Sequence, residues 1–118
     1  AVLKDTAMTV YAHGTTGGSI ALNHENGHYQ TITSNASISL SFTNWPATAT
    51  LGRIWLQINF ANTGHTLTTP SETLHADDID GESSNVITAD AIGTRLYEFF
   101  TPDAGTTVLM NQLGKIYD

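Results

Sequence analysis

Two histidines and a glutamate stand at the spacing used by zinc-dependent hydrolases. The segment His24–His28 spells H-E-x-x-H, in which both imidazoles bind zinc and the glutamate activates a zinc-bound water. That chemistry requires an α-helix, because a helix brings side chains four residues apart to one face. A small metal-dependent hydrolase is therefore one function to weigh for this sequence.

The residues inside this motif favour a turn over a helix. Asn26-Gly27 is the strongest short signal for a two-residue hairpin, since a type I′ turn needs positive φ at both central residues. The flanking residues alternate between apolar and polar, as strand residues do. In such a hairpin His24 pairs with Tyr29 and lies on the opposite face from His28. The sequence thus predicts an exposed hairpin tip whose two histidines cannot share a metal.

Carboxylates cluster between Asp77 and Glu82, where the sequence reads DDIDGE. Clustered carboxylates are the hard oxygen ligands that calcium prefers. The spacing D-x-D-G copies only a fragment of an EF-hand loop, and the position of its bidentate glutamate falls on Ile87. We predict that Pro70–Ser84 is a long exposed loop with a solvated acidic segment, 77–82, and leave weak calcium binding open.

The remaining polar residues do not form the pattern of a catalytic site. Gly17-Gly18-Ser19 is not a G-x-S-x-G nucleophile elbow, and no glycine-rich loop leads into a helix that would hold a phosphate. His13, His65 and His75 are scattered among threonines and glycines, which is typical of surface histidines. We therefore predict a protein that is not an enzyme and has no catalytic residues, metal site or cofactor.

Aromatic side chains offer a different chemistry, the stacking of sugar rings. The candidates for such a platform are Trp45, Trp55, Tyr97, Phe99 and Tyr29. Trp55 lies on the more polar face of its strand, between Arg53 and Gln57. That position suits either a ligand contact or burial against a second layer or another subunit, and core and interface positions are the commoner use of such rings.

Strands must position these residues, because the apolar residues recur with a period of two. The alternation predicts four main strands, at 37–43, 53–60, 96–101 and 106–112, and weaker ones at 6–12, 19–24, 28–33, 65–68 and 86–88. In the first, serines line the outer face. Turn residues separate the strands at the spacing of roughly 8–12 residues that is typical of β-sandwiches. The predicted fold is all-β: one domain, residues 1–118, built as an antiparallel β-sandwich or jelly roll, with residues 1–18 as an N-terminal arm or an edge strand.

The composition excludes several classes of partner. Four Lys and Arg against eleven Asp and Glu give a net charge of −7, so the chain lacks the basic surface that nucleic acids and anionic membranes attract. No apolar run approaches the roughly 18 residues of a membrane-spanning helix. The sequence has no cysteine, and a small chain without disulfides often gains stability by oligomerisation.

Several segments in order resemble a known β-module. Residues 34–42 read SNASISLSF and lead into Asn44-Trp45-Pro46-Ala47. The segments 52–58 (GRIWLQI) and 64–67 (GHTL) follow, and 96–107 close the pattern with LYEFFTPDAGTT. From residue 19 onward this order resembles a β-module of tailed-bacteriophage virion proteins, found at the ends of tail fibres and on particle surfaces. Ala104 replaces the first glycine of the family's closing hairpin, and Val108 stands where an aromatic residue is common. The resemblance implies an all-β module that is often trimeric.

The first functional hypothesis is a non-enzymatic structural protein on the virion surface, either a capsid decoration or cement protein or a fibre component. Such a protein would assemble in the host bacterial cytoplasm and act through protein–protein contacts with itself, as a homotrimer, and with capsid or tail proteins. Its interface candidates are Trp55, Tyr97 and Phe99.

The alternative hypothesis is a receptor- or carbohydrate-binding module, such as a tail-fibre tip. It would stack the sugars of a host-surface glycan on aromatic rings and hydrogen-bond them with neighbouring polar groups. The residues for this role are Trp45, Trp55, His65 and Asp103. The sequence leaves the host, the receptor and the choice between capsid and tail open.

Overall fold

The computed structural model describes residues 9–116, and its regular elements are β-strands and one short 3-10 turn. The strands are β1 Val10–Asn23, β2 Tyr29–Thr43, β3 Gly52–Phe60, β4 Thr66–Thr68, β5 Thr73–His75, β6 Glu82–Ser83, β7 Val86–Thr88, β8 Gly93–Thr101 and β9 Val108–Ile116. The 3-10 turn, His24–Asn26, follows β1. Over residues 9–116 no helix has the length and apolar character of a membrane span. The all-β prediction is confirmed; residues 1–8 of the predicted arm lie outside the described part of the chain.

The strands form one curled sheet in the order β5-β9-β8-β3-β2-β4-β7-β6, with β1 paired to β2. Four pairings are antiparallel: β3–β8, β8–β9, β4–β7 and β6–β7. Four are parallel: β1–β2, β2–β3, β2–β4 and β5–β9. The predicted sandwich is therefore correct in outline, but the sheet is mixed rather than purely antiparallel.

The parallel pairing of β1 with β2 requires β1 to bend. A straight strand of 14 residues would hold its ends about 43 Å apart, farther than the short connection to β2 can return. The Gln30 side chain nevertheless donates from Nε2 to the carbonyl oxygen of Asn23 at 2.8 Å. The end of β1 therefore lies beside the beginning of β2. The bend falls at Gly14 and Gly18, whose φ angles are 80° and 75° and where the pairing register shifts.

Two opposed layers result from this curl. The large layer contains the first halves of β1 and β2 together with β3, β8, β9 and β5, and the small layer contains their second halves with β4, β7 and β6. Inward side chains of both layers form one apolar core. In the β3–β8 register Ile54 pairs with Phe99 and Leu56 with Tyr97. Outside the small layer, Ser37, Ser39 and Ser41 are exposed, so the predicted hydroxyl-lined face is confirmed.

The predicted long exposed loop at Pro70–Ser84 is wrong in part, because the core anchors it. It contains β5 and β6, and within it Ile79 is 6% exposed. The carboxylate of Asp80 lies 2.6 Å from Lys115 Nζ, and the carbonyl oxygen of Asp80 accepts a hydrogen bond from Arg95. Since Arg95 is itself buried and paired with Asp90 at 2.7 Å, the loop closes over a buried cation.

Candidate functional site

The H-E-x-x-H segment forms neither a helix nor the predicted hairpin. The Asn23 side chain caps a single 3-10 turn by accepting from the backbone N–H of Glu25 at 2.9 Å. Asn26 lacks the positive φ that a type I′ turn needs, so the chain continues into a parallel strand instead of doubling back. The imidazole rings of His24 and His28 lie 4.7 Å apart between centroids. The prediction that they point to opposite faces is therefore wrong, and the helix that a zincin requires is absent from this segment.

The two imidazoles line a cavity of about 400 Å³ at the end of the large layer. We term it the histidine pocket; its lining residues are His24, His28, Pro46, Thr50, Leu51 and Arg53. The backbone N–H of Trp55 donates to the carbonyl oxygen of His28 at 2.6 Å, which fixes the turn against β3. The pKa of His24 is lowered, mainly by partial burial and also by the neighbouring His28. Glu25 acts in the opposite sense but does not outweigh them.

Trp55 stands beside this pocket in a fixed orientation. Its indole N–H donates to Glu98 Oε2 at 2.7 Å, and the guanidinium of Arg53 lies 4.8 Å from its ring centroid. Tyr29 meets it edge-on at 6.4 Å and donates its hydroxyl to Gln57 Oε1 at 2.6 Å. The predicted outward position of Trp55 is correct. Because Arg53 stacks on the ring, a sugar would have to displace the guanidinium to stack there.

Trp45 closes one end of the sandwich and is not an open stacking platform. Its ring packs on the core, 5.3 Å from the Phe42 ring and 5.5 Å from that of His24. Two glycines make room for it: a Cβ on Gly52 would lie 2.7 Å from Cε3, and a Cβ on Gly105 would overlap Cδ1. Trp45 therefore supports the wall of the histidine pocket from the core side.

The other four predicted site residues, Tyr97, Phe99, His65 and Asp103, have structural roles within the fold. Tyr97 and Phe99 are completely buried, so neither presents surface to a partner. The His65 ring, through Nδ1, shares a 2.7 Å hydrogen bond with the hydroxyl of Ser34, which also accepts from the backbone of Ala61. These contacts place His65 at a corner between strands, away from the histidine pocket.

Asp103 organises the turn between β8 and β9. Its Oδ1 accepts from the backbone N–H of Thr107 and from the Thr101 hydroxyl, both at 2.9 Å. These hydrogen bonds to the charged form lower the pKa of Asp103. The carboxylate is thereby committed to holding the turn closed.

Three cross-strand rows make up the outer surface of the large layer. The first row runs Arg53, Phe100, Leu109 and Leu74; the second runs Tyr29, Trp55, Glu98 and Asn111; the third runs Thr31, Gln57, Leu96 and Gly114. On β8 the half-buried side chains of Phe100 and Leu96 thus lie on either side of Glu98. Three apolar side chains on this side of the sheet or at its β9 edge are strongly exposed. Leu74 is 57% exposed, Leu113 is 47% exposed and Ile116 is 68% exposed.

Two carboxylates of the acidic segment, Asp80 and Glu82, are engaged by neighbouring protein groups. Asp80 binds Lys115, and hydrogen bonds from Lys115 and Gln112 are the main reasons its pKa is lowered. Glu82 accepts from the backbone N–H of Asn85 at 3.2 Å. Within residues 9–116 no group of three or more histidines and carboxylates is arranged to hold a metal ion.

Sequence reasoning missed the grouping of Arg53 with His24 and His28. The sequence shows the spacing of the two histidines, but whether their side chains lie together depends on the path of β1. A usable signal was the pair of glycines in the middle of β1, which marks a bend rather than a straight hairpin arm.

No known protein family, curated protein sequence or solved structure matches this chain. Arguments about its function therefore start from its own residues and their geometry.

Proposed function

We propose that this chain is a non-enzymatic structural protein that works by protein–protein assembly, as a decoration, cement or fibre component on the surface of a bacteriophage virion. The virion assignment rests on the sequence resemblance. Assembly rests on one structural observation, the apolar side chains left exposed on the outer side of the large layer.

Three of these side chains are strongly exposed. Leu74 ends the first row beside Leu109 and Phe100, and Leu113 adjoins the third row at a bulge in β9. Exposed apolar side chains interspersed with polar ones are a feature of protein–protein interfaces. The self-association we propose, as a homotrimer, would cover this surface with that of a second and third copy.

The layer edges add a second means of contact. In the described residues β1 pairs with one strand only, β2, so its other side offers backbone N–H and C=O groups to a further strand. Edge strands left open in this way are natural sites for strand addition between subunits.

Light scattering on a sizing column, over a wide range of loading concentrations, tests the proposal. We expect a trimer whose mass does not change with concentration, and dissociation when Leu113 is replaced by Asp. Ser39→Asp on the opposite, hydroxyl-lined surface is the matched control, since it adds the same charge. A wild-type monomer at every concentration, or equal dissociation by both variants, would contradict self-assembly through this surface.

Glycan binding by aromatic stacking gains less support from the geometry. Trp45 faces the core, and Trp55 is covered on one side by Arg53. His65 and Asp103 are occupied by hydrogen bonds within the protein. A receptor-binding role would therefore have to use a different surface from the one that the aromatic residues suggested.

A further inference from the structure

We propose that the histidine pocket binds a small organic anion, a carboxylate or phosphate group carried on a compact body such as a sugar. This inference is separate from the assembly role and stands or falls without it. Three features carry it: an available cation, two imidazoles beside it and an apolar rim.

The cation is unusual for this protein. The chain has a net charge of −7, and the described residues include only three Lys or Arg side chains. Arg95 binds Asp90 and Lys115 binds Asp80. Within residues 9–116, Arg53 is the one of the three that forms no salt bridge. Its charge is therefore available to a ligand in the pocket that it lines.

The surrounding contacts hold this guanidinium in place. It lies over the indole of Trp55 at 4.8 Å, and Glu98 fixes that indole through a 2.7 Å hydrogen bond. A planar guanidinium presents paired N–H donors that match the two oxygens of a carboxylate or phosphate. Because the cation–π contact restricts the side chain before binding, less conformational entropy is lost when an oxyanion binds.

The two imidazoles add hydrogen-bond donors on the other side of the cavity. The ring centroids of His24 and His28 lie 4.7 Å apart, and repulsion by His28 contributes to the lowered pKa of His24. An anion beside them would favour the protonated form of His24. Among residues 9–116, the charged groups at this site are Arg53, which lines the pocket, and, from the same turn, Glu25, whose effect on His24 is the smallest of the three causes. Binding should therefore tighten as the pH falls.

The rim indicates an organic body rather than a bare ion. Leu51, which is 62% exposed, and Pro46 line the pocket together with the cationic and imidazole groups, so part of its rim is apolar. Thr50 contributes a hydroxyl. A cavity of about 400 Å³ falls in the range of small-molecule sites.

Titration of the isotope-labelled protein by NMR tests the proposal, with the His24 and His28 ring signals and the Arg53 side-chain signal as readouts. The probes are glucuronate, inorganic phosphate and, as the neutral comparison, glucose. We expect saturable shifts at these three residues with dissociation constants of the order of millimolar. Tighter binding of glucuronate supports a carboxylate on a sugar body, whereas tighter binding of phosphate supports a phosphate group as the recognised anion and overturns the requirement for an organic body.

Two variants separate a site from general electrostatics. Arg53→Gln and Lys115→Gln remove the same charge, but only the first changes the pocket. We expect Arg53→Gln to weaken binding about tenfold or more, the loss of a charge-assisted hydrogen-bonded pair, and Lys115→Gln to leave it unchanged. Lowering the pH from about 7.5 to about 5.5 should strengthen wild-type binding, since protonation of the His24 imidazole adds positive charge to the pocket.

The contrary outcomes are distinct. Equal affinity for glucose, equal losses in the two variants, or shifts that never saturate would each overturn the anion site. A response of the imidazoles to Zn²⁺ without any response to the anions would also overturn it and leave a two-histidine metal site. The variants used here leave the exposed leucines in place, so the assembly proposal is judged by its own experiment.

Discussion

Replacing Gly105 by alanine isolates the contact between Trp45 and the turn that follows β8. Gly105 has a φ of 87°, and an added Cβ would overlap Cδ1 of Trp45 and lie 3.0 Å from its Nε1. The left-handed backbone costs an alanine about 1–2 kcal/mol, and forcing a methyl group into packed surroundings costs about 1–3 kcal/mol more. We expect a loss of about 2–5 kcal/mol in the free energy of unfolding, from the sum of these two effects.

Gly64 supplies a matched control, because its φ is 88° but an added Cβ would have no atom within 4 Å. Gly64→Ala should therefore cost the backbone contribution alone, about 1–2 kcal/mol. Urea unfolding followed by tryptophan fluorescence measures both variants. The excess of about 1–3 kcal/mol for Gly105→Ala should largely disappear in a Trp45→Leu background, which removes the ring. Equal costs for the two glycine variants, or an excess that survives in that background, would refute the role assigned to Trp45.

Three further predictions concern the core, the buried cation and the loss of stability at acidic pH. Leu56→Ala should lower the unfolding free energy by about 2–5 kcal/mol in urea titrations, because the residue is completely buried between the layers. Asp90→Asn should lower the free energy of unfolding by about 1–2 kcal/mol, because one charge-assisted hydrogen bond to the buried Arg95 is lost. Calorimetry should show that this loss persists in high salt. The hydrogen bond from Thr107 is the main cause of the lowered pKa of Asp103, so this carboxylate stabilises the fold above its unfolded pKa of about 3.9. That contribution is lost as the pH falls through the folded value; Asp103→Ala should flatten the decline in urea midpoint below about pH 4.

The strand interiors were predictable from sequence because the pleat of a strand fixes a period of two. Ile54, Leu56 and Ile58 point inward and Trp55 outward, as their alternation indicates. The same alternation put Tyr97 and Phe99 together on one face of β8, and the structure shows that this face is the core. Whether a given face meets the opposite layer or a partner is decided by tertiary packing, which a local pattern does not contain.

The pairing of β1 was not predictable from the turn that follows it. The dipeptide Asn26-Gly27 predicts a hairpin because turn preferences depend only on neighbouring residues. The pairing direction of β1 is instead determined farther away, at Gly14 and Gly18. There β1 bends across to the second layer, and the bend brings Asn23 back to Gln30. The histidine pocket depends on this path, so its residues could not be grouped before the bend was known.

The proposed interface and the histidine pocket meet in the first row of the large layer, yet they can be tested apart. Arg53 pairs across the strands with Phe100, whose row continues through Leu109 to Leu74. Leu113, by contrast, adjoins the third row, at Gly114 beside Leu96. Burial of the first row by another subunit would take part of the water from Arg53, and desolvating a cation without a partner is costly. An anion in the pocket would supply that partner. Leu113→Asp therefore perturbs assembly at the far row and leaves the pocket intact, whereas Arg53→Gln removes the pocket's charge and leaves the exposed leucines in place.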